Sequence, residues 1–146
     1  MSNAEKNTKA TAVPAKSGMT KWVVLGLILV LAVVAVKILP RGYSDDLTRV
    51  GKGQPTIVLI REKNAVQSFD LLSVMDALRD QYAGKVEFLL TDYGTTETSM
   101  FIEAHKASKV TLVMLDGSGK LVKILYPPQT VESVKQAIAD LFGVQP

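Results

Sequence analysis

Few residues of this chain stand at spacings where side chains do chemistry. The stretch "NAVQS" (64–68) lies between an apolar run, "PTIVLI" (55–60), and an amphipathic one, "SFDLLSVMDALRDQY" (68–82). A tight turn from a strand into a helix N-terminus suits a nucleophile, because outward N–H groups and the helix dipole favour an anion there. This turn offers Ala65, Val66, Gln67 and Ser68. The Ser68 hydroxyl would need a general base. The single histidine, His105, belongs to a later helix, so Ser68 is expected to cap its own helix. One histidine without spaced partners makes no metal site, and His105 reads as a surface or half-buried group. Asp45 and Asp46 read as first-turn acids of a short helix capped by Ser44. "DGSG" (116–119) lacks the further acids and closing glutamate of a calcium loop and reads as a hairpin turn. "REKN" (61–64) reads as a solvated loop. The chain has no cysteine, which removes disulfides, thiolate catalysis, Cys-ligated zinc and thiol redox chemistry by its own residues. No catalytic residue, metal or cofactor is expected.

The elements that carry this turn are legible. "TIVLI" has no polar alternation and fits a strand buried on both faces. The helix over about 66–82 places Leu71, Leu72, Met75, Leu78 and Tyr82 on one stripe and stops at Gly84. "VEFLLTD" (86–92) is the next strand. "TTETSMFIEAHKA" (95–107) is a helix capped by Thr95 or Thr96, with Met100, Phe101 and Ala104 inward. "VTLVML" (110–115) and "KLVKILY" (120–126) flank the hairpin turn. Thr130 caps a last helix to about 142, with Val131, Val134, Ile138 and Leu141 on one face and Gly143 at its end. The order β-α-β-α-β-β-α predicts an α/β fold: a four-stranded mixed sheet with flanking helices.

An apolar segment precedes this domain. "WVVLGLILVLAVVAVKIL" (22–39) has no charge from Trp22 to Val36, and Pro40 and Arg41 follow it. At 1.5 Å per residue it reaches roughly 27 Å, about the hydrocarbon thickness of a bilayer. Trp22 suits an interfacial anchor, and Lys37 is near enough to the end to snorkel. The segment predicts one uncleaved transmembrane helix over 21–40, favoured over a cleaved signal peptide because no Ala-x-Ala precedes a cut. Residues 1–20 read as a disordered polar tail and 41–146 as the folded domain. Lysine and arginine counts on the two flanks nearly balance. A short polar tail usually stays in the cytoplasm, so the domain is expected outside: an inner (cytoplasmic) membrane protein with a single pass and a periplasmic C-terminal domain in a Gram-negative cell. The net charge of +3 divides unevenly, +4 over residues 1–40 and −1 over 41–146, which leaves no basic face for nucleic acid.

The soluble part resembles the thioredoxin-like superfamily over about residues 47–143. "GQPTIVLI" looks like the strand entering a thioredoxin active site, down to its preceding proline. From Arg61 to Lys85 the spacing matches without a gap, including "DQYAGKVEF". "KVTLVMLDGSGKLVKIL" looks like the strand-turn-strand after the family's cis-proline. Carried over by position, the family's Cys-x-x-Cys falls on Ala65-Val66-Gln67-Ser68, and the preceding tryptophan falls on Asn64. The buried acid falls on Leu59, the cis-proline on Val110 and a groove-lining glycine on Pro127. The resemblance therefore implies a scaffold whose redox groups are gone, not an enzyme. Ala65, Val66, Gln67, Ser68, Val110, Tyr126 and Pro127 become candidates for binding a protein partner within a membrane complex. The expected role is a redox-inactive, membrane-tethered assembly or accessory subunit. A thiol-independent enzyme and a chaperone-like holdase on the same scaffold stand as alternatives.

Overall fold

The computed structural model describes residues 18–38 and 42–146. The expected disordered tail up to residue 17, and the stop at Pro40 and Arg41, lie outside them. Two compact units divide between Arg41 and Gly42. In the first, helix α1 spans Met19–Ile38 without an acid in its first turn. Its described side chains run from Lys21 to Val36 and are exposed on every side. Among the described residues no helix is long and apolar enough to cross a membrane. The apolar run of the sequence continues past these side chains to Leu39.

In the second unit a four-stranded sheet has the order β2-β1-β3-β4. β1 (Thr56–Arg61) runs parallel to β2 (Glu87–Asp92) and antiparallel to β3 (Thr111–Leu115). β3 pairs antiparallel with β4 (Leu121–Leu125) through a register shift at Met114/Leu115. β1 and β3 are central, and every residue of "TIVLI" and "TLVML" is buried. That is why their sequences carry continuous apolar runs rather than alternation.

Each face of the sheet has its own helical cover. Ile57, Leu59, Leu112 and Met114 meet Leu71, Met75 and Leu78 of α2 (Val66–Arg79) and Val134 and Ile138 of α4 (Val131–Phe142). Val58, Ile60, Leu89, Val113 and Leu115 meet Phe101 of α3 (Thr96–His105) on the opposite face. The caps follow the sequence. Thr95 accepts from the Thr98 N–H at 3.2 Å. Thr130 and Ser133 form a reciprocal capping box, and Gly143 closes α4 in the left-handed region at φ 65°.

Several expectations are corrected. The segment after the junction is only a 3₁₀ turn, Leu47–Arg49, capped by Asp46 rather than Ser44. Ser44 instead lies in a parallel bridge to Leu89, and its carbonyl accepts from the Leu90 N–H at 3.0 Å. The edge of β2 was available, and a short polar segment satisfied it better than an isolated helix would. Helix α2 ends at Arg79, yet Tyr82 is still buried in the following turns. Met100 and Ala104 face solvent, and Phe101 alone is buried from the expected inward set of α3.

Candidate functional site at the turn between β1 and α2

The turn is built from its own backbone. The Ala65 N–H donates to the Glu62 carbonyl at 3.1 Å, and the Ser68 N–H donates to the Ala65 carbonyl at 3.0 Å. Ser68 is not the helix cap. It is the third residue of α2, fully buried, and its Oγ accepts from the Glu62 N–H at 3.0 Å. The cap position belongs to Ala65, which has extended backbone and no side-chain acceptor. A fully buried hydroxyl that accepts from the Glu62 N–H closes the turn. His105 cannot serve it, because α3 packs on the opposite face of the sheet. Its ring instead lies 4.5 Å from that of Phe101, and partial burial lowers its pKa.

Sheet register brings the expected positions to one end of the sheet. β1 leaves the sheet at Ile60–Arg61 toward the turn, and Ile60 pairs with Thr111, the residue after Val110. Leu125, the residue before Tyr126, pairs with Leu112. The turn 62–68, Val110, Tyr126 and Pro127 thus all leave the same end of the central strands. Val66 is 72% exposed and Tyr126 57% exposed. Gln67 is exposed, while Ala65, Val110 and Pro127 are half-buried. Val110 holds a left-handed φ of 58° with its N–H donating to the Ile60 carbonyl at 2.8 Å. The cis peptide is found at Pro127–Pro128. Leu59, at the buried-acid position, is fully enclosed in the core.

Some groups at this end escaped the sequence reading. Phe69 is 53% exposed, one residue past buried Ser68 and off the Leu71–Met75–Leu78 stripe. Helical periodicity alone would have placed it outward beside Val66. Lys109 bridges to Glu62 at 3.0 Å and sits 5.6 Å over the Tyr93 ring. No local pattern links Lys109, Glu62 and Tyr93, because the contact joins loops from separate strands. Hydrogen bonding to Glu62 raises the Lys109 pKa. Arg61 and Lys63 both reach Asp92, at 2.7 and 3.2 Å. Burial pushes the Asp92 carboxyl up, but hydrogen bonds and charge from Arg61 and Lys63 outweigh it and hold the pKa below its ordinary value. Beside this pair opens a cleft of about 460 Å³ that also touches Tyr43 and Glu97. No cluster of three histidine, cysteine or acidic residues able to hold a metal occurs among the described residues.

Parallel β1–β2, an antiparallel β3–β4 hairpin and helices on both faces define the topology. The fold is thioredoxin-like. Similar solved structures include an uncharacterized thioredoxin-like protein from Clostridium perfringens, 13% identical, with a TM-score of 0.58 over 68% of this chain and 87% of that one. A point mutant of a thioredoxin from Halobacterium salinarum NRC-1 is 17% identical, with a TM-score of 0.55 over 70% of this chain and 85% of that one. No protein-family model and no curated protein sequence matches the chain. The thioredoxin-like scaffold here carries no sulfur at the turn, since the chain has no cysteine.

Proposed function

We propose that this thioredoxin-like protein is a redox-inactive, membrane-tethered binding module, an assembly or accessory subunit that meets its protein partner through the turn between β1 and α2. The observation that carries the reading is the turn itself. It keeps its hydrogen-bonded geometry, its only hydroxyl is committed to the Glu62 N–H, and it presents Val66 with Phe69 beside it to solvent. Apolar side chains grouped on an exposed turn call for a cover, whereas scattered ones do not. Tethering is supported by the sequence alone, through the uncharged apolar run from Trp22 to Val36.

The test places a photo-crosslinking amino acid at Val66 or Phe69 in the full-length chain, with Glu103 on α3 as the control position. A single crosslinked band at 66 and 69, absent at 103 and abolished by Val66→Asp, is the expected result. Equal labelling at all three positions, or none, overturns the reading. Purified protein is expected to reduce insulin disulfides no faster than a dithiol donor does alone.

A further inference from the structure

The sheet has two edges, and they are not equivalent. Ser44 bonds along the β2 edge, while among the described residues β4 is bounded by β3 alone. Beside β4, on the face that α4 covers, runs a groove of about 470 Å³ lined by Lys123, Leu125, Tyr126, Ser133, Ala137 and Asp140. Register fixes which β4 side chains overlook it. Lys123 pairs with Met114 and Leu125 with Leu112, both on the α2/α4 face, so Lys123 and Leu125 stand two residues apart over one groove. Lys123 is exposed and forms no ion pair among the described residues, and Asp140 is bonded to Gln136 at 2.8 Å.

We infer that β4 is a strand-addition site for an extended peptide segment carrying an acidic side chain and an apolar side chain two positions away. An added strand lies about 4.8 Å from β4 and takes its outward N–H and C=O groups. Its alternate side chains enter the groove, the acidic one against exposed Lys123 and the apolar one above Leu125 and Ala137, which are themselves almost wholly buried. A second copy is the poorer occupant, because a two-fold antiparallel pair centred on β4 sets Lys123 opposite Lys123. The inference goes beyond the turn-centred reading and does not rest on it.

The test uses the full-length chain in detergent micelles and fluorescein-labelled ten-residue peptides alternating valine and threonine, with a central aspartate or lysine. Fluorescence anisotropy is expected to show the aspartate peptide binding about fivefold tighter, the scale of one partly exposed charge pair. Lys123→Glu inverts the preference, and N-methylation of alternate peptide residues abolishes binding. Val66→Asp leaves both unchanged, which separates this surface from the turn. Absence of binding at millimolar peptide overturns the inference. So does binding indifferent to peptide charge, loss of binding in Val66→Asp, or a β4-dependent dimer that excludes the peptide.

Discussion

Val110 is the residue where local preference and global fold disagree most. A β-branched residue at φ 58° is strained by about 1–2 kcal/mol. The position is held there because its N–H must reach the Ile60 carbonyl before β3 can begin at Thr111. Val110→Gly removes that strain but adds unfolded-chain entropy of about 0.5–1 kcal/mol and loses roughly 1 kcal/mol of half-buried side-chain contact. These contributions nearly cancel. Urea unfolding of Val110→Gly is therefore expected to change stability by less than about 1 kcal/mol, whereas Val113→Gly, fully buried within β3, loses more than about 3 kcal/mol. Asp92 gives the residue-scale pH dependence. Its folded pKa lies below its unfolded one, so its contribution is complete above the unfolded value near 4 and is lost as pH falls through the folded value. Asp92→Asn is expected to flatten the acid limb of a stability–pH profile below about pH 4. An unaltered acid limb would assign that limb to other carboxylates.

At the scale of elements, one contact has no counterpart in any pattern of the sequence. The loop "GKG" (51–53) lies backbone to backbone against the β3–β4 hairpin. Gly53 donates its N–H to the Gly117 carbonyl at 2.9 Å, and a Cβ on Gly117 would stand 2.7 Å from the Gly53 carbonyl oxygen. The obstacle is main chain, so it cannot swing aside as a side chain would. Gly117→Ala is expected to cost about 1–3 kcal/mol in thermal or urea unfolding, while Gly84→Ala, with open space about its Cβ, is limited to its left-handed φ strain. The strands, α2 and α4 were legible because burial on one or both faces writes itself into residue period. α3 was read with its faces partly misplaced, since Met100 and Ala104 are outward and Phe101 inward. It rests on the sheet through Phe101, partly buried Ile102 and the buried Thr98 hydroxyl, which hydrogen-bonds Thr91 of β2, and one large apolar anchor beside a polar contact does not set a hydrophobic period. At the site, the turn from β1 into α2 was legible, but the role of Ser68 was not. A serine at a helix start reads as a cap, and only the path of the chain shows Glu62 returning to it.

For the whole molecule, charge and apolarity divide along the chain. The first 40 residues carry +4 and the only long uncharged apolar run, and the thioredoxin-like unit carries −1. A near-neutral domain needs no nucleic acid or anionic surface to hold it, so any membrane residence must come from the run 22–39, whose apolar length suits a bilayer. The lysine and arginine counts flanking the run nearly balance, so the expected topology, tail in the cytoplasm and folded unit beyond the membrane, rests on the short polar tail rather than on charge. The absence of cysteine makes this directly measurable, because one introduced thiol is the only thiol in the chain. Glu103→Cys, exposed on α3, is expected to react with a membrane-impermeant maleimide in intact cells, and Ser17→Cys only after lysis. Leu29→Asp, at the centre of the apolar run, adds about 2.5–3.5 kcal/mol to the insertion of that helix and is expected to shift the protein from the alkali-resistant membrane fraction toward the extractable one. Reversed labelling would turn the domain to the cytoplasmic side, and full extraction of the unaltered chain by alkali would remove the span altogether and leave the surfaces of the fold to act in solution.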